Sequence, residues 1–198
     1  MKKNRLAIIV TLVLIVIAIV LVWNNRYLTT LRGDAYDFTV RDTASVTRLF
    51  FADKSGNEVT LSRTSEGWKV NDKYDAQPVM INNMLHTLDK MRIKMPVSLA
   101  SHDNVITRMA GTNTKVEVYQ IVPRINLFNK IKLFPHEKRT KVFYIGDITQ
   151  DNNGTYVLKE GADKAYIVHL HGFRGFISSR FSASEEDWRD HKVFYNNI

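Results

Sequence analysis

The spacing of apolar and polar positions changes several times along the chain. From Leu6 to Trp23 every position except Thr11 is apolar and none is charged. Those eighteen residues form a helix of roughly 27 Å at about 1.5 Å per residue, close to the thickness of a bilayer's hydrocarbon core. After a polar interval the spacing becomes two. Val46–Ala52 is β-branched and aromatic, Lys54-Ser55-Gly56-Asn57 is a turn, and Glu58–Arg63 puts Val59 and Leu61 on one face. Trp68–Val70 follows another turn, so the spacing predicts an antiparallel meander with one buried face. Between Asp75 and Met91 the period becomes helical: Ile81, Met84, Leu85, Leu88 and Met91 recur on one side. Pro78 is tolerated in the first turn, so this is an amphipathic helix that covers a sheet. Strand spacing resumes at Lys115–Val122, Lys141–Ile145, Thr155–Lys159 and Ala165–Leu170. Asp151-Asn152-Asn153-Gly154 reads as a hairpin turn, and Ser184-Glu185-Glu186-Asp187 as the capped start of a short helix. The expected class is α+β: a transmembrane helix, then an antiparallel-sheet domain with a covering helix.

The first segment can be read as an uncleaved anchor or as a signal peptide. Signal-peptide cores are about 7–15 residues and end in a small-x-small site. This run is longer and ends in Leu21, Val22 and Trp23, while Gly33 and Ala35 supply a small pair only far downstream. The expectation is an anchor. Residues 1–23 are then tail and span, 24–34 a stalk, and 35–198 the extracytoplasmic domain. Lys2, Lys3 and Arg5 against Arg26, Arg32 and Asp34 place the N-terminus in the cytoplasm by the positive-inside rule. The domain is expected in the periplasm, on the outer side of a bacterial cytoplasmic membrane.

Charge sharpens this picture. The net charge is +8. Lys2, Lys3 and Arg5 supply three positive charges, and the stretch from Pro123 to Lys141 supplies a net five, with Glu137 its only acid. The rest is balanced, so no basic domain exists for nucleic acid to bind. Within Pro123–Lys138, Ile125, Leu127, Phe128, Ile131, Leu133 and Phe134 alternate with bases. This is either a long hairpin packed on its own domain or a contact for a partner or membrane surface, through Arg124, Phe128, Lys130, Lys132, Phe134, Lys138 and Arg139.

Candidate chemistry is sparse. The chain has no cysteine, which excludes disulfides and thiolate metal sites. Asp151, Asn153, Gly154 and Glu160 overlap a calcium loop, but Thr149 stands where its first aspartate belongs and the flanks read as strands. His169 and His171 share a strand face, yet zinc needs three or four ligands. No nucleophile elbow, phosphate-binding loop or zinc-protease motif is present. An enzyme would have to bring those histidines to a carboxylate such as Asp147 or Asp190. No cofactor is expected, and neither is catalysis. Trp68, Trp188 and Tyr156 are the aromatic platforms a ligand-binding module would use if they were exposed.

One resemblance adds to this reading. Lys141-Val142-Phe143-Tyr144-Ile145-Gly146, Gly154-Thr155-Tyr156-Val157-Leu158, Val168 with Gly172-Phe173, Gly175-Phe176-Ile177-Ser178, Arg180-Phe181, Asp187-Trp188-Arg189-Asp190 and Val193-Phe194 resemble the bacterial domain-of-unknown-function family 4340. Gly67-Trp68-Lys69-Val70 and the following helix also fit, so the resemblance covers Asp37 to Phe194. It implies an anchored envelope protein, and some relatives accompany ABC transporters of the gliding-motility type. Relatives are often longer, with a second similar half, so a chain incomplete at its C-terminus is one expectation. The resulting functional expectation is a non-catalytic accessory or scaffold subunit of an ABC-transporter-associated envelope complex. The alternative is an extracytoplasmic module for a glycan, peptidoglycan or a peptide.

Overall fold

Nine strands form one sheet. The structure, a computed structural model, describes residues 8–20, 37–127 and 131–192, with the side chains of 126, 127, 131 and 132 left aside. Residues 8–20 form helix α1. The meander then runs β1 Val46–Ala52, β2 Glu58–Arg63, β3 Trp68–Val70 and β4 Tyr74–Asp75. Helix α2 (Pro78–Lys90) leads into β5 (Met91–Pro96), and helix α3 (Leu99–Thr112) into β6 (Thr114–Leu127). Strands β7 (Ile131–Ile148), β8 (Thr155–Lys159) and β9 (Tyr166–Leu170) complete the sheet in the order β4-β3-β2-β1-β6-β7-β8-β9-β5. Every pairing with a described register is antiparallel. The α+β class and the covering helix α2 are as the spacing implied.

Contacts divide the chain into two compact units. One is Met1–Ala35 with Pro123–Pro135; the other is Tyr36–Val122 with His136–Ile198. In the first unit the described part of α1 spans thirteen residues, 8–20, and its large aliphatic side chains are about half exposed. Among the described residues no helix is long and apolar enough to cross a membrane. The ends of the expected span, on either side of 8–20, lie outside the described residues.

The second unit has a different layer on each sheet face. On one, Ile81, Met84 and Leu88 of α2 join Leu49, Phe51, Leu61, Val116, Val118 and Phe143 of the strands in a single core. Gln77 is the N-cap of α2 in extended conformation and Pro78 opens its first turn, where a missing N–H costs nothing. On the other face Val105 and Met109 of α3 pack with Val97 and Ala165, beside Tyr144, Tyr156 and Ile167. Gly146 on β7 permits that approach, because a Cβ there would lie 2.7 Å from Met109 Cγ. The β3–β4 turn holds Asn71 and Asp72 at φ 51° and 56°, as a type I′ hairpin requires.

Three features depart from the sequence reading. The helix ends at Lys90, and Met91 starts β5. Neither β5 nor α3 is evident from spacing. Residues 184–187 do not form a helix: they lie in a loop and turn in which the Trp188 N–H donates to the Glu185 carbonyl. Ser182, not Ser184, does the capping, accepting from the Ser184 N–H and donating to Asp187. Local helix preference yields there to burial of the Trp188 ring, which is 1% exposed.

The chain enters the second unit at a tight clamp. Phe38 and Val40 are buried, and the Val40 N–H donates to the Leu88 carbonyl at 2.8 Å. The Thr39 hydroxyl donates to the Met91 carbonyl, and Lys141 Nζ pairs with Asp37 at 3.2 Å. Burial works against ionisation of Asp37, but the Lys141 ammonium and the Thr39 N–H outweigh it and hold the carboxyl below its ordinary value.

Candidate functional site

Three places carry the polar or exposed groups from which a function can be built. The first is the far end of the β6–β7 hairpin. Fourteen-residue β6 and eighteen-residue β7 carry the chain into Pro123–Pro135 of the first unit. There Arg124 is exposed, Leu133 is 42% exposed and Phe134 66%. Phe134 has φ 55°, a left-handed conformation that bulky residues avoid. The expected hairpin is present, but the Leu133 and Phe134 side chains do not pack away. The expected contacts at Phe128 and Lys130, and the side chain of Lys132, lie outside the described residues.

The second place is a polar cluster on the β6–β7 ladder, in the second unit. Glu117 is 6% exposed and accepts from Lys115 Nζ at 2.6 Å, Tyr119 Oη at 2.6 Å and Arg139 Nη1 at 2.9 Å. Burial pushes its carboxyl up, yet Lys115, Tyr119 and Arg139 together hold it below the ordinary range. Arg139 also reaches Glu160 at 3.8 Å. Nearby, Arg48 stacks 4.0 Å over the Tyr119 ring and pairs with Glu137 at 2.8 Å. Arg139 is therefore committed to holding two strands together, although it is exposed like its neighbour Lys138. The satisfied ions of this cluster read as a structural network.

The third place is a cleft of about 250 Å³ lined by Gly67, Trp68, Asn82 and the carboxylates of Glu66, Asp75 and Asp190. Trp68 is half-buried, with the Arg63 guanidinium 5.1 Å from its ring centre. Asp75 is paired with Lys69 at 2.8 Å, and Asp190 accepts from the Lys192 N–H. Of the three expected aromatic platforms only Trp68 lines this cleft. Trp188 is buried, stacked on Phe51 with centroids 5.4 Å apart, and its indole N–H donates to the Ser182 carbonyl. Tyr156 packs beside α3.

The catalytic constellation weighed from sequence does not assemble. Asp147 accepts from Arg108 and from the Thr112 hydroxyl, each at 3.2 Å, and none of its hydrogen bonds or those of Asp190 involves His169 or His171. Partial burial, then Lys94 and His171, lower the pKa of His169, favouring the neutral ring. Among the described residues no group of three histidine or carboxylate side chains is placed to hold a metal. The 151–154 loop is a hairpin turn between strands, not a cation loop. Its Asp151 carboxyl is held down to about 2, first by the Thr149 hydroxyl and then by the Asn153 N–H.

The run 187–190 ties the end of the chain's described part to neighbouring elements. Trp188 fills the core, and Ala76 and Arg189 form an isolated bridge. Gln77 donates its N–H to the Trp188 carbonyl, the Asp190 N–H donates to Asp75, and the Arg189 guanidinium lies 4.0 Å over Tyr74. The run is a latch that pins the C-terminal segment to β4 and the start of α2. The family model described as "Domain of unknown function (DUF4340)" matches residues 68–197, from β3 through this latch. The chain belongs to the DUF4340 family. The match begins at Trp68, so β1 and β2 lie ahead of it although they share one sheet with the matched strands. No curated protein and no solved structure matches the chain. Within this DUF4340 domain the latch, the α2 core and the Glu117 cluster each tie separate elements of the second unit together.

Proposed function

We propose that this DUF4340 protein is a membrane-anchored, non-catalytic accessory or scaffold subunit of a bacterial envelope complex of the ABC-transporter type, with its sheet domain on the periplasmic side. The observation that carries this reading is an apolar, half-exposed helix at 8–20 followed, after a short polar interval, by the buried clamp at Phe38 and Val40. Side chains of that apolarity need a hydrocarbon or protein environment. Among the described residues, His169 and His171 share no hydrogen bond with Asp147 or Asp190, which favours binding over turnover. The test is affinity purification of the full chain from detergent-solubilised membranes. Membrane proteins recovered at fixed stoichiometry, together with resistance to alkaline carbonate extraction, are the expected result. A monomer without companions overturns the subunit role, and release by carbonate overturns the anchor.

A second reading has its own observation: the Trp68 cleft pairs an aromatic wall with three carboxylates and Asn82. Such a lining suits a sugar or a cationic peptide group. Titration of muropeptides, monitored by tryptophan fluorescence, is expected to show saturable binding lost in Trp68→Ala. Identical titrations for both proteins remove this reading.

A further inference from the structure

We infer that Asn153, in the turn between β7 and β8, is a self-modification site, converting to aspartate and isoaspartate through a cyclic imide formed with Gly154. Asparagine is among the chemically labile residues, and Asn153 is the one asparagine of the chain that a glycine follows. A glycine carries no side chain to shield its own backbone nitrogen from the preceding amide. A bulkier successor would slow the reaction, but packing forbids one here. A Cβ on residue 154 would lie 2.5 Å from Ile167 Cγ2 and 3.3 Å from the Val168 carbonyl oxygen. The start of β8 therefore pairs with β9 only over a glycine. The fold itself imposes the labile dipeptide.

The reacting groups are also unengaged. Asn153 is exposed, and among the described residues its side-chain amide has no hydrogen-bond partner. The Gly154 carbonyl accepts from the Thr149 N–H at 3.0 Å and from the Thr149 hydroxyl at 3.2 Å. The Gly154 N–H, by contrast, donates to no acceptor among the described residues, so closing the imide breaks no hydrogen bond within them. Base in the solvent takes that proton, and the nitrogen attacks Asn153 Cγ. The new N–C bond forms as the Cγ–Nδ2 bond breaks, and ammonia leaves with a proton from water. Water then opens the imide. Cleavage of the bond to Cγ gives aspartate; cleavage of the bond to the main-chain carbonyl gives isoaspartate, which carries the chain through the side-chain carbon. No oxidant or enzyme is needed. Either product adds a second carboxylate to a turn in which Asp151 already accepts the Asn153 N–H and pairs with Lys94 of β5 at 3.4 Å.

The full chain, purified in mild detergent, is held folded at mildly acidic and at mildly alkaline pH, beside Asn153→Gln and a urea-unfolded sample. Isoaspartate is read by enzymatic methyl transfer from labelled S-adenosylmethionine, and its position by mass spectrometry of the peptide that spans the turn. The expected result is methyl label that accumulates several-fold faster at the alkaline pH, because the reaction starts from the deprotonated nitrogen. The label should map to residue 153 and be lost in Asn153→Gln, whose longer side chain closes only a larger, slower ring. A folded chain that stays unlabelled overturns the proposal even if the unfolded chain is labelled, because the turn then holds the two groups apart. Label spread evenly over Asn57, Asn71 and Asn153 also overturns it, because this turn then has no reactivity of its own.

Discussion

The core under α2 and the tip of the β6–β7 hairpin are both built from aliphatic and aromatic residues, yet they use them in opposite ways. In the core, Phe51, Phe143, Phe181 and Trp188 meet edge-on or stacked, with centroids 5.4–6.3 Å apart. In the tip, Leu133 is 42% and Phe134 66% exposed. The charges differ as well. The buried carboxylate of Glu117 has three donors around it, whereas the tip has bases and no acid. Residue type alone does not separate the two regions; the covering layer does. Strands β6 and β7 run through both, and Val116, Val118, Phe143 and Ile145 are buried in the core that α2 covers.

The sharpest way to break this contrast is to empty the core. Trp188→Ala removes a buried ring, its stacking on Phe51 and its bond to Ser182. A loss of about 3–5 kcal/mol is expected, read as a lower denaturation midpoint in urea. It should also loosen the latch, so that hydrogen exchange rises at Gln77 and Asp190, whose backbone N–H groups that latch engages. A loss below about 1 kcal/mol would show that Trp188 is not a core element.

Next in size is the buried ion cluster. Glu117→Gln keeps the shape but leaves Lys115 and Arg139 facing each other without their anion. The expected cost is about 1–3 kcal/mol at neutral pH. The sign of the pH dependence follows from the lowered carboxyl. The group's ordinary value is near 4.5, so its contribution is complete above that pH and fades as pH falls through the depressed folded value. Wild-type melting temperature should thus fall more steeply than that of Glu117→Gln in acid, with the two curves converging. Parallel curves would assign the stability difference to something other than this ionisation.

The same contrast explains what could be read from the residues in order. The meander, α2 and the 151–154 turn carry strong local patterns, because each buries one regular face. Helix α3 does not: Val105 and Met109 are its only buried residues, and Leu99 is 87% exposed. A stripe that narrow leaves little periodicity. The clamp at Phe38 and Val40 is too short to have a period at all, and it is held by α2 and β5 through backbone carbonyls and by the rings of Phe143 and Tyr166 on β7 and β9. Glu117 reads as one more polar residue on an alternating strand, and only the pairing of β6 with β7 brings Arg139 to it. The Trp68 cleft gathers residues from 66–68, 75–82 and 190, which no linear spacing joins. The basic-apolar tip was legible as unusual, since charge and hydrophobicity are both written locally. The exposure of Phe134 was not.

The smallest expected effect on stability is at the tip, and it separates the two regions most cleanly. Phe134→Gly removes a large apolar side chain, a change that in the core would cost several kcal/mol. Here the ring is 66% exposed, so little packing is lost. Glycine also relieves the left-handed backbone at φ 55°, a conformation it adopts without strain. The freer unfolded chain offsets part of that gain. The net change is expected within about 1 kcal/mol of zero, with an unaltered urea slope. A destabilisation as large as that of Trp188→Ala would mean the tip is packed like the core, and the distinction between the two regions would collapse.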